Sequence, residues 1–191
     1  MNVRPMRRED LDAVVAIHLA AFPNFFLTFL GPRFLRVFYG AVMRDGIALV
    51  ATVDERVAGF VAGMLDSKSF YRRLWRSRLF SVALALAPVI LRHPSTLKRV
   101  ARRGVARAFQ PAPGAELMSL AVHPRQQRHG LGRLLVEAFI AAVHESGTES
   151  LWLVTDAADN DAVQTFYESL GFAVRRSFSN AEGRALVEYG R

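Results

Sequence analysis

The sequence contains no cysteine, which excludes a disulfide framework, a cysteine-ligated zinc site and a thiol nucleophile. Long apolar runs are missing too. The longest, residues 82–91, is broken by Pro88 and falls far short of the roughly 20 residues that span a bilayer, so no transmembrane helix is expected. The opening Met-Asn-Val-Arg-Pro-Met-Arg-Arg-Glu-Asp lacks the apolar centre of a signal peptide, and a cytoplasmic location is expected. Acidic residues are absent from residues 67–107, which carry eleven Lys and Arg, among them Lys68, Arg72, Arg99, Arg102 and Arg103. Without that segment the chain has 14 basic against 17 acidic residues, so the net charge of +8 belongs to one stretch. Neither common nucleotide loop is found, since no Lys-Ser or Lys-Thr follows a glycine run and no G-x-G-x-x-G occurs.

What is present reads as a folded protein. With 191 residues, 51% hydrophobic and 22% charged, the chain suits one domain over residues 1–191 with a sizeable core. Short apolar runs at 3–6, 48–53, 57–65, 151–155, 173–179 and 184–189 read as strands. Helical spacing occupies 9–22, with acids in its first turn, and 161–170, ended by Gly171. Residues 25–43 are rich in aromatics, broken at Gly31-Pro32, and most of these are expected in the core. Residues 67–113 read as a helical insertion with breaks near Pro88 and Pro94.

The chain is organised around residues 117–136. Leu117, Met118, Leu120, Ala121 and Val122 form a strand that stops at Pro124; a polar loop follows, and Gly130 and Gly132 open an apolar helix that ends near Ser146-Gly147. The first N–H groups of a helix have no acceptor inside it, and the helix dipole adds partial positive charge there, so this loop suits phosphate oxygens.

Gln127-Arg128-His129-Gly130-Leu131-Gly132 matches Q/R-x-x-G-x-G/A, and the run from Asn160 to Phe172 is similar to N-x-x-A…Y-x-x-x-G-F, with Val163 in place of the alanine. Together these resemble the GCN5-related N-acetyltransferases, the GNAT family, and the motifs come nearest to its ribosomal-protein N-terminal acetyltransferases. The resemblance runs from end to end apart from the insertion. It implies an α/β (α+β) GNAT fold, a mixed and mostly antiparallel sheet flanked by helices, and acetyl-CoA as cosubstrate with no metal.

It also implies roles. Backbone groups of Leu120, Ala121 and Val122 would pair with the pantetheine arm, where the central strand splays from its neighbour. Gln127, Arg128, His129, Gly130, Leu131, Gly132 and Arg133 would hold the pyrophosphate, and Asn160 would hydrogen-bond the pantetheine. Tyr167 would lie beside the thioester sulfur, and a phenol can protonate a departing thiolate at neutral pH. The family's glutamate after Leu-Trp-Leu is replaced here by Val154, which leaves Glu116 as the best acid for the amine's proton and Asp156 as second. His123 belongs to the strand-end turn.

The expected reaction is direct acetyl transfer to a primary amine of a small molecule, such as an amino sugar. The rival readings are acetylation of a protein N-terminus or lysine, and a non-catalytic acyl-CoA-binding sensor. The basic insertion would contact an anionic surface, form a lid over the acceptor, or be a solvated cover serving solubility or a homodimer contact. No recognised nucleic-acid module accompanies it, so no specific nucleic-acid partner is expected.

Overall fold

The computed structural model describes residues 1–23, 25–77, 91, 113–180 and 183–191. Its strands are β1 (Asn2–Pro5), β2 (Ile47–Val53), β3 (Arg56–Met64), β4 (Ala115–Val122), β5 (Leu151–Asp156), β6 (Ala173–Ser179) and β7 (Ala185–Gly190). They form a single sheet in the order β1-β2-β3-β4-β5-β7-β6. The helices are α1 (Leu11–Ala21), α2 (Phe26–Phe29), α3 (Gly31–Asp45), α4 (Ser67–Ser77), α5 (Leu131–Glu145) and α6 (Asp161–Glu168). Every strand pair is antiparallel except β4 with β5. This is the mixed, mostly antiparallel sheet that the motifs imply. The insertion begins with α4; its other expected helices and most of its basic residues lie outside the described residues. No described helix is long and apolar enough to cross a membrane.

Local chemistry explains the boundaries. Arg4 of β1 grips the Asp10 carboxylate with two hydrogen bonds of 2.7 and 2.8 Å, and the Arg7 N–H adds a third of 2.7 Å. The acids expected at the start of α1 therefore form a short 3-10 turn that pins the helix to the sheet edge. Asp54 and Glu55, at φ 48° and 62°, make the two-residue turn between β2 and β3; its left-handed backbone matches the twist of a tight hairpin.

Two layers cover the sheet. On one face α1 and α3 pack on β2, β3 and β4, burying Val14, Ile17, Leu35, Phe38 and Val42. On the other, α5 buries Leu131, Leu135, Val136, Phe139, Ile140 and Val143 against β2, β3 and β4, with Tyr167 and Leu170 beside them. Each such side chain contributes roughly 1.5–3 kcal/mol, which outweighs the cost of about 1 kcal/mol for Gly132 inside the helix. Phe34, Phe38 and Tyr39 enter the core as expected, but Phe25 and Phe29 stay on the surface.

Candidate active site

A gap in the sheet organises the site. β4 and β5 pair only at Ala115 with Leu151 and Glu116 with Trp152, and then part. The His123 N–H donates to Ala58 O at 2.8 Å, which makes 58 and 123 a hydrogen-bonded pair of the β3–β4 ladder. Alternation along an antiparallel strand then turns the backbone groups of Ala121 toward β3 and those of Leu120 and Val122 into the gap. Of the three backbone positions expected to pair with the pantetheine, the outer two turn toward the gap and Ala121 turns toward β3.

At the mouth of the gap the chain makes a 3-10 turn, Pro124–Gln126, and enters α5. His123 Nδ1 accepts from the Arg125 N–H at 3.2 Å, so this histidine does belong to the turn. Gln127 donates through Nε2 to Val122 O at 3.2 Å, tying the loop to the free strand edge. Arg128 and Gly130 both adopt left-handed backbone, at φ 65° and 79°, and for the arginine this is uncommon. Together they turn the loop so that the first N–H groups of α5, on Leu131, Gly132 and Arg133, lie beyond the reach of any helical acceptor. A Cβ at Gly130 would meet nothing within 4 Å, so its backbone borders open space. His129 is exposed beside it. The Arg133 side chain turns elsewhere, donating to Ser169 Oγ at 2.9 Å and pairing with Glu137 at 3.5 Å. Arg125 and Arg128 are left as exposed arginines of the loop.

The far wall is α6. Asn160 stands at its N-cap position without a side-chain capping bond and instead gives its amide hydrogens to the end of β5, at Thr155 Oγ1 (2.9 Å) and Asp156 O (3.0 Å). Only its carbonyl oxygen remains for a ligand. Tyr167 is 7% exposed and edge-on to Phe166 and Phe172, with centroids 5.1 and 5.6 Å away. Burial pushes its hydroxyl pKa up, which keeps it protonated.

The opposite face of the gap is acidic. Glu116 is 1% exposed at the closed end. Asp156 is spoken for, because Arg184 grips both carboxylate oxygens and stacks 4.9 Å over the Phe25 ring, from the loop before α2. Deeper under α1, His18 Nδ1 lies 2.6 Å from the Tyr39 hydroxyl, which also hydrogen-bonds Ser119 of β4. Burial lowers the His18 pKa to about 4.

The sequence profile described as Acetyltransferase (GNAT) family matches residues 11–172. The chain belongs to that family. A ribosomal protein bS18-alanine N-acetyltransferase of Escherichia coli is 43% identical over 67 residues, 34% of this chain and 45% of that protein. A mycothiol acetyltransferase of Kocuria rhizophila is 45% identical over 62 residues, 32% of this chain and 20% of that protein. Matches to these curated relatives therefore span less than half of their length. A solved ribosomal-protein-alanine N-acetyltransferase of Brucella melitensis superposes over 100% of this chain and 99% of its own, with TM-score 0.67 and 18% identity.

Within this GNAT chain, the loop of residues 127–133 follows β4 at the mouth of the β4–β5 gap and Asn160 is tied to the end of β5, while Tyr167 and Glu116 are buried on opposite faces of the sheet. Sequence reasoning missed Arg184, Phe25 and Glu188. A signal existed for the last: Glu188 is the lone acid in the otherwise apolar strand Ala-Leu-Val-Glu-Tyr.

Proposed function

We propose that this chain transfers the acetyl group of acetyl-CoA directly to the α-amino group of a protein or peptide N-terminus. The likeness to the bS18-alanine N-acetyltransferase carries this reading, and it favours a protein acceptor over the small amine expected from the sequence. The mycothiol acetyltransferase likeness supports a second reading, a small-molecule amine.

Leu120 and the N–H of Val122 offer ladder groups to the pantetheine amides, while Val122 O already accepts from Gln127, and the side-chain carbonyl oxygen of Asn160 offers one more acceptor. The first-turn N–H groups of α5 and the charge of Arg128 suit the pyrophosphate. Acetyl-CoA supplies the activated carbonyl. Tyr167, held protonated by burial, gives its proton to the departing thiolate, and Glu116 is the candidate acceptor for a proton from the amine. Thiol release assayed with alanine-initiated peptides, lysine-containing peptides blocked at their N-terminus, and amino sugars tests the reading. It expects the first group to react fastest; release with amino sugars alone would move the assignment to small molecules, and binding of acetyl-CoA without release from any amine would leave a sensor.

A further inference from the structure

Glu188 is a buried carboxylate that the mechanism above does not use. Its neighbours on β7, Val187 and Tyr189, pack with Leu151, Leu153 and Tyr167 beneath α5 and α6, so alternation points Glu188 to the other face. That face is the one with Phe25, because Arg184, of the same parity, reaches both Asp156 and the Phe25 ring there. The register sets Glu188 directly opposite Val154, with Trp152, the neighbour of Glu116, two pairs further on and on the same face. Directly opposed side chains share a face with Cβ atoms about 4.5–5.5 Å apart. The carboxylate that the β5 position 154 lacks is therefore present one strand away.

Its hydrogen bonding is lopsided. Glu188 is 4% exposed. Arg176 brings Nε and Nη2 to the same oxygen, Oε2, at 2.8 and 2.7 Å, and Oε1 receives no hydrogen bond from a described residue. Asp156 differs, since Arg184 occupies both of its oxygens. A carboxylate oxygen with no donor from a described residue, on a side chain only 4% exposed, suits a cationic N–H partner.

We propose that Glu188, in place of Glu116, receives the acceptor's ammonium group at Oε1 and takes a proton from it, an assignment that rests on the acetyl-transfer reading above. The ammonium gives one proton to Glu188, and the freed lone pair attacks the thioester carbon. The C–N bond forms and the C–S bond breaks; sulfur takes the Tyr167 proton. The second proton shed by nitrogen as the amide forms restores Tyr167, and Glu188 passes its own to water. One proton reaches solvent per turnover. Two strand spacings of about 4.8 Å and two residues of about 3.3 Å put the Glu116 and Glu188 Cα atoms roughly 12 Å apart, so the two carboxylates act as separate groups.

The test uses Glu188→Gln, Glu188→Val, Arg176→Gln and the double variant Glu188→Val with Val154→Glu, assayed for thiol release with an alanine-initiated peptide from pH 6 to 9.5. Glu188→Gln is expected to lose about 10²–10³ in kcat/KM at pH 7. The loss should shrink as pH passes the amine's own pKa of about 8, where the free amine no longer needs a base, and acetyl-CoA affinity should hold. The double variant should recover at least tenfold over Glu188→Val, because it moves the carboxylate across the pair. Parent-like rates in Glu188→Gln at every pH overturn the proposal while leaving acetyl transfer intact. So does an equal, pH-independent loss in Arg176→Gln, which would make the pair structural. A parent that binds acetyl-CoA but releases no thiol with any amine overturns the transfer reading itself, and this assignment with it.

Discussion

Glu116 stands opposite Trp152 in the last paired position between β4 and β5, and beyond it the strands diverge. The closed end of the gap is fastened just upstream, where the Ala115 N–H donates to Ser150 O at 2.8 Å and Trp152 Nε1 to Gly114 O at 3.3 Å. Gly114 is at φ 101°, and a Cβ there would lie 2.3 Å from Ser150 O. Backbone cannot yield as a flexible side chain does. Gly114→Ala should therefore cost about 2–4 kcal/mol through strain and overpacking, lowering the melting temperature by roughly 5–12 °C for a chain of this size. Calorimetry of the variant checks this, and an unchanged melting temperature would mean that the strands are not fastened here.

Tyr167 offers a cleaner separation of chemistry from binding. The rings of Phe166, Phe172 and Tyr189 surround it, so Tyr167→Phe should fold and bind acetyl-CoA as the parent does. A proton given to the thiolate matters only in the transition state, so kcat should fall by about 10²–10⁴. A rise in KM for acetyl-CoA with kcat intact would make Tyr167 a packing residue.

Gly130, in the loop, and Gly132, in the first turn of α5, should respond differently. Gly132 has room for a methyl group, since its nearest neighbour, the Phe166 ring, would be 3.5 Å away. Gly132→Ala should thus keep or gain stability, by up to about 1 kcal/mol. Gly130 is at φ 79°, and Gly130→Val should both strain the loop by about 1–2 kcal/mol and place a branched side chain where the α5 N–H groups open. Titration calorimetry should show the affinity for acetyl-CoA falling by more than the stability does. Unchanged affinity in Gly130→Val would remove the loop from the cofactor site.

His18 predicts a pH dependence of stability. Its pKa in the folded protein is about 4, because burial disfavours the imidazolium, against about 6.5 unfolded. Above pH 6.5 neither state holds the proton and no stability is lost. As pH falls from 6.5 toward 4 only the unfolded chain binds the proton, and stability drops by up to about 3 kcal/mol in all. Denaturant titrations at pH 7.5 and 4.5 measure this. His18→Asn, which keeps a hydrogen-bonding group near the Tyr39 hydroxyl without a titrating ring, should flatten the slope; an equally steep slope would assign the acid sensitivity to carboxylates.

The elements around the gap were legible because each is written locally. Short apolar, β-prone runs mark β2 and β3, paired glycines mark the start of α5, and Gly171 closes α6. Tyr167 and Asn160 could be found by the spacing of one helix. The acidic face was not, because it is assembled across strands far apart in the chain: Val154 meets Glu188, and Asp156 meets Arg184, only once β7 has slotted between β5 and β6. Likewise, Arg133 reads as a phosphate ligand by its place in the loop, yet Ser169 and Glu137, brought near by helix packing, hold its guanidinium. Spacing along a helix survives in sequence; register between strands does not.

The Arg184 contact with Phe25 joins residues 159 positions apart. Closing so long a loop is entropically expensive and happens only after nearer contacts are in place. During synthesis, the chain through α5 can collapse around β1 to β4 while β7 is still unmade. The wall proposed to border the acceptor is then the last part to appear, so a nascent chain acquires the loop proposed for the pyrophosphate well before the surface proposed for the amine.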